Sequence, residues 1–140
     1  MKKRFFSVAF AVALMFTLFT GTALAAKYRA SPTLLQYPVS LESGDRAGEV
    51  KIVFSVRSSL AADSLGVSPI KIYKEDNTYV TTIQGSTRNG LITGNTTAIR
   101  SSYTYSGTPG TTYYADVTVF ASIGSDYDSR TVRTNSVTAP

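Results

Sequence analysis

Glu49-Val50-Lys51-Ile52-Val53-Phe54-Ser55-Val56-Arg57 decides the fold. Val50, Ile52, Phe54 and Val56 alternate with Lys51, Val53, Ser55 and Arg57. Period two with one apolar face is the pattern of a half-buried strand. A helix would place its apolar residues three and four apart, and no such spacing runs for a useful length after residue 25.

Working outward, the same pattern recurs in short runs divided by turn residues, as in an all-β sandwich. Upstream, Thr33 to Leu41 reads as a first strand. Pro38 lies inside it and confines it to an edge or a bulge, because proline cannot donate to a ladder. Ser43-Gly44-Asp45 makes the turn. Downstream, Ser58 to Gly66 is small and polar and reads as a loop. Ile70 to Lys74 is a third strand, with Ile70 and Ile72 inward and Lys71 and Tyr73 outward. Glu75-Asp76-Asn77 turns the chain into a fourth, Tyr79 to Ile83. Gly85 to Thr97 reads as a crossover in which Leu91 and Ile92 are too brief for a strand. Ile99 to Tyr105 is the fifth strand. Pro109-Gly110 carries the type II turn signature. Thr111 to Ser122 is the sixth and longest strand; Gly124 to Asp128 is a loop; Arg130 to Thr138 is the last strand. Seven short strands with regular turns predict an immunoglobulin-like sandwich.

The first 25 residues have another character. Met1-Lys2-Lys3-Arg4 is basic, Phe5 to Phe19 is almost wholly apolar, and Ala23-Leu24-Ala25 is an A-x-A cleavage pattern. That is the layout of a secretory signal peptide, helical in its apolar core. The core is shorter than the ~20 apolar residues of a membrane span. Cleavage after Ala25 leaves residues 26–140 as a single domain with no further span. The chain is then secreted, either extracellular or held at the cell surface. Of 14 basic residues three depart with the signal, which leaves 11 against nine acids, a balance of +2. That surface is no footprint for nucleic acid. Five of seven phenylalanines also depart, leaving Phe54 and Phe120, while all nine tyrosines remain. There is no cysteine and no histidine. Disulfides are excluded, and the usual metal ligands, nucleophiles and general bases are depleted, so no cofactor is expected.

Gly110-Thr111-Thr112-Tyr113-Tyr114-Ala115-Asp116-Val117-Thr118-Val119-Phe120-Ala121, with Gly124-Ser125 and Ser129-Arg130-Thr131-Val132, resembles the last two strands of fibronectin type III domains. The tyrosine-to-alanine spacing is two residues longer here, and the tryptophan of that family's second strand is absent. Residues 62–68, Ile70 to Lys74, Tyr79 to Ile83, Thr112 to Ala115 and Ser129 to Val132 make the mature chain similar to small secreted β-sandwich proteins of clostridial-type bacteria. That group has no assigned activity. The resemblance implies fold and export and carries over no catalytic residue.

Two constellations bear on function. Asp126-Tyr127-Asp128 could point two carboxylates at one hard cation, and calcium asks for six to eight oxygens. The alternative is a solvated turn, since loops favour aspartate and serine. Glu75-Asp76-Asn77 is a weaker instance. The second constellation is a sheet face. If the third, fourth, sixth and last strands share a sheet, Lys71, Tyr73, Tyr114, Asp116, Thr118 and Phe120 project outward together. Such an aromatic strip with polar edges suits a protein or glycan partner; the alternative is a set of cross-strand pairs that stabilise the sheet. No G-x-S-x-G, S-x-x-K or phosphate-binding glycine loop is present. The expectation is therefore a non-catalytic binding module. Self-association as a structural protein, through open sheet edges, is the alternative, and a small glycan hydrolase follows at a distance.

Overall fold

A computed structural model describes residues 33–140, which fold as one unit. The signal sequence and its cleavage point lie outside the described residues. Ten strands are present: β1 (Leu34–Gln36), β2 (Val39–Ser43), β3 (Glu49–Ala62), β4 (Ser64–Lys74), β5 (Tyr79–Ile83), β6 (Ile92–Thr93), β7 (Thr96–Ser106), β8 (Thr112–Ile123), β9 (Asp126–Arg133) and β10 (Val137–Thr138). Every pairing is antiparallel, and no helix among the described residues is long and apolar enough to cross a membrane.

The strands form two layers. In sheet A, β1 and β2 lie end to end along one side of β3, and β7 lies along the other. In sheet B, β8 and β4 are central; β9 and β10 share the outer side of β8, and β5 and β6 share that of β4. The layers are thus three and four lanes wide. Ten strands occupy seven lanes because three of the four edge lanes are interrupted. Pro38 is the interruption between β1 and β2: its carbonyl accepts the Ser55 amide, but it has no N–H to return the bond, so the ladder breaks there.

The core lies between the layers. Val50, Ile52, Phe54 and Val56 of β3 face Leu65, Val67, Ile70 and Ile72 of β4 and Tyr113, Ala115, Val117, Val119 and Ala121 of β8, all buried. Each large aliphatic chain so buried contributes roughly 1.5–3 kcal/mol. The alternation in β4 changes phase midway. Val67 opposes Val119 and Ile70 opposes Val117, so three steps on β4 match two on β8. That bulge returns Ile70 and Ile72 to the interior.

Several boundaries differ from expectation. Residues 58–66 are not a loop: β3 runs on to Ala62 and β4 begins at Ser64. Asp63 is the one residue between β3 and β4, its amide bonded to the Ser122 carbonyl and its carboxylate accepting the Gly124 amide at 2.7 Å. β3, of 14 residues, is longer than β8, of 12. The crossover at 85–97 carries a buried plug. Leu91 is fully enclosed, and its carbonyl accepts the Val67 amide at 2.9 Å. Asn89 organises that loop, its Oδ1 accepting from Ser86 and its Nδ2 donating to the Gln84 carbonyl. The 124–128 segment is likewise no loop: Gly124-Ser125 is a tight hairpin turn, and Asp126 already pairs with Ile123. Pro109-Gly110 does form the expected turn, with Gly110 at φ 78° and the Thr111 amide bonded to the Thr108 carbonyl.

Candidate functional site

The outer face of sheet B holds the expected aromatics, and β4, β5, β8 and β9 do share that sheet. Register sets Lys71 opposite Asp116 and Tyr73 opposite Tyr114. The face is not the open strip the alternation suggests. Tyr114 is 6% and Phe120 7% exposed.

Neighbouring side chains account for this. Tyr73 stacks on Tyr114 with centroids 5.3 Å apart and planes at 12°. The Arg133 guanidinium covers the Tyr114 ring at 4.6 Å and grips Asp116 through both carboxylate oxygens, at 2.8 and 3.0 Å. That bidentate pair raises the Arg133 pKa further above its already high ordinary value. Tyr79 meets Tyr73 edge-on at 5.9 Å, and the Tyr114 hydroxyl donates to Asn77 Oδ1 at 2.7 Å. The row Tyr79–Tyr73–Tyr114–Arg133 therefore runs across four strands, and Tyr114 has a neighbour on each ring face. Phe120 belongs to a second cluster, stacked on Tyr127 at 5.7 Å. Six residues along β8 separate it from Tyr114, about 20 Å at the usual rise. Thr118 stands between, its hydroxyl paired with that of Thr131 at 3.0 Å. The sequence pattern does not single out Tyr79, Arg133 or Asn77. Arg133 shares the parity of Ser129 and Thr131, and the β8–β9 register sets it opposite Asp116.

Asp126 and Asp128 sit on β9, on one face of it. Asp128 is buried; its Oδ1 accepts from Arg130 Nη1 at 2.5 Å and its Oδ2 from the Leu34 amide at 3.3 Å. It ties the edge of sheet B to β1 of sheet A. No group of three or more acids that could hold a metal occurs among the described residues.

The sheet edges differ in what they leave open. On β2, Leu41 has both backbone groups engaged by Asn135, whose Oδ1 accepts its amide and whose Nδ2 donates to its carbonyl, each at 2.9 Å. β9 carries Asp126, Asp128, Arg130 and Arg133, charges that discourage edge pairing. β1, β5 and β6 are short. β7 is 11 residues long, contains no proline, has Arg100 as its sole charged residue, and pairs with β3 in unbroken register from Glu49↔Ser106 to Arg57↔Ala98. No strand among the described residues lies along its other side.

The direction of its backbone groups follows from β3. The Ser55 amide donates to the Pro38 carbonyl, so odd residues of this part of β3 bond toward β2. Even ones bond toward β7, and their partners there are Ile99, Ser101, Tyr103 and Tyr105. The even residues of β7 then aim N–H and C=O away from the sheet, since inward and outward pairs alternate in an antiparallel ladder. Ala98 is masked, because Thr96 Oγ1 bonds to both its amide and its carbonyl, at 3.3 and 3.2 Å. Arg100, Ser102, Thr104 and Ser106 present the remaining edge.

No family model, curated protein or solved structure matches this chain. Geometry alone therefore carries the functional reading, and it favours the β7 edge over the aromatic face. The rings of Tyr114 and Phe120 are too buried to stack on a ligand, and the exposed ones, Tyr79 and Tyr127, stand in separate clusters, whereas outward backbone groups in register can take an added strand.

Proposed function

We propose that this chain is exported by way of residues 1–25, and that residues 26–140 act outside the cell, or at its surface, as a non-catalytic binding module. The frame is read as immunoglobulin-like, close to fibronectin type III. Two antiparallel layers of three and four lanes support that reading. So does the Tyr113 hydroxyl at the entry to β8, which accepts the Thr108 amide upstream.

The module works by strand addition at β7. The observation that carries this is the outward aim of the backbone groups of Arg100, Ser102, Thr104 and Ser106, on an edge held in unbroken register from Ala98 to Ser106. Hydrolysis of a glycan is less well supported. Two hollows on the outer face of sheet A, of about 430 and 440 Å³, each contain a single carboxylate, Glu42. A glycosidase needs two. Glu75 and Asp76 border a third hollow, but hydrogen bonds from Thr78 hold Asp76 below the usual carboxylate range. A general acid needs the opposite shift.

Secretion of the full chain tests the first half: it should enter the medium with Ala26 as its new terminus. A displayed library of extended nonapeptides tests the second. A bound peptide should slow amide exchange at Arg100, Ser102, Thr104 and Ser106 while the odd residues, already laddered to β3, stay as they were. Protection that falls on sheet B instead would overturn the reading.

A further inference from the structure

We infer that the strand added at β7 is β7 of a second copy of this chain, antiparallel, with the two-fold axis passing beside Tyr103. The inference rests on the edge-addition reading above and deepens it by naming the partner.

Symmetry restricts the choices. Paired residues in a sheet share a face, so a two-fold axis normal to the sheet opposes residues of equal parity. The four residues with outward backbone groups, 100, 102, 104 and 106, are symmetric about 103. An axis there opposes Arg100 to Ser106 and Ser102 to Thr104 of the other copy. All four exchange their N–H and C=O groups, and none is left over. An axis at Arg100 would set two guanidinium groups face to face. An axis at Ser102 would direct Ser106 against Ala98, which Thr96 has already satisfied.

The side chains agree with the backbone. Arg100, Thr104 and Ser106 are exposed and Ser102 half-buried, all on the solvent face of sheet A. In the Tyr103 register no charge meets a like charge. On the inner face Tyr103 meets Tyr103 of the other copy in a non-hydrogen-bonded pair, the close kind in which aromatic side chains reinforce a ladder. Both rings already pack partly against their own cores. The two three-lane sheets would become one continuous sheet, and the least protected edge of each molecule would disappear, which is how natural sheets dispose of such edges.

The test uses the secreted chain. Sedimentation should show a concentration-dependent dimer. A Ser102→Asp, Thr104→Asp double variant leaves the β3 ladder intact and sets acids opposite each other; it should weaken dimerisation by about tenfold or more. The chain has no cysteine, so Ser102→Cys and Thr104→Cys each supply a unique thiol. Mixed together they should form a disulfide-linked heterodimer, and neither alone should link, because only the 102–104 pair approaches within disulfide range. A dimer unchanged by the double variant overturns the inference, as does cross-linking of either single variant alone. A monomer at every concentration whose β7 amides are protected by a library peptide overturns the second-copy partner and leaves edge addition standing. A monomer whose β7 amides no peptide protects removes both.

Discussion

The Tyr113 hydroxyl accepts a hydrogen bond from the Thr108 amide at 2.9 Å, across the turn that enters β8. The ring lies so close over Gly107 that a methyl group there would come within 2.6 Å of that hydroxyl. Two substitutions separate the bond from the fit. Tyr113→Phe should cost about 0.5–1.5 kcal/mol, one net hydrogen bond. Gly107→Ala should cost about 1–3 kcal/mol, because the buried ring has to move. Urea denaturation of both variants checks the order.

Leu91 is a single side chain that plugs the side of the sandwich where the 84–95 connection passes between layers. Leu91→Ala should lose about 2–5 kcal/mol through the cavity it opens. Ile92→Ala, at a half-buried neighbour, should lose clearly less. Thermal unfolding of the pair gives the comparison.

Asn135 does for Leu41 what a neighbouring strand would do, filling both backbone groups with one amide. Asn135→Leu keeps the volume and removes both bonds. Exchange at the Leu41 amide should accelerate, and stability should fall by about 1–3 kcal/mol, the cost of stranded polar groups. Hydrogen exchange followed by NMR reads both effects.

Asp128 has committed its carboxylate to Arg130 and to the Leu34 amide. Added calcium should therefore leave the melting temperature unchanged. Asp128→Ala should loosen β1, seen as faster exchange at Leu34, with or without the ion.

Burial, aided by Tyr113, lifts the Tyr105 phenol above its ordinary value of 10.0. A raised value means the folded state holds the proton more tightly. The associated stability is whole below pH 10.0 and is lost as pH climbs through the raised folded value. Urea midpoints measured from pH 9 upward should fall more steeply for the natural chain than for Tyr105→Phe.

Much of this architecture is legible in the sequence, for physical reasons that also mark where legibility ends. The Glu49–Arg57 run is readable because one face is buried and the other is not. Pro38 announces an edge because it lacks a donor. The extension of β3 through Ser58–Ala62 is hidden, because its one large apolar residue, Leu60, is exposed while the small Ser58 and Ala62 are the buried ones, so hydropathy does not mark the inner face. Leu91 is hidden too, since one apolar residue in a turn-rich segment has no period. Its trace lies elsewhere, in Gly66: a side chain there would strike the Leu91 carbonyl at 2.0 Å. A glycine inside a strand signals close passage of another backbone. Alternation groups Tyr73, Tyr114 and Phe120 on one face, but it reports which way a residue points and not what leans over it. Arg133 lies 19 residues from Tyr114 in sequence, and only the β8–β9 register brings them together.

Because β7 bonds inward through one set of residues and outward through the other, its two duties are written in separate letters of the same word. Ile99, Tyr103 and Tyr105 answer to the interior. Arg100, Ser102, Thr104 and Ser106 answer to whatever stands alongside, so mutation can revise the strand's company without rewriting the protein that carries it.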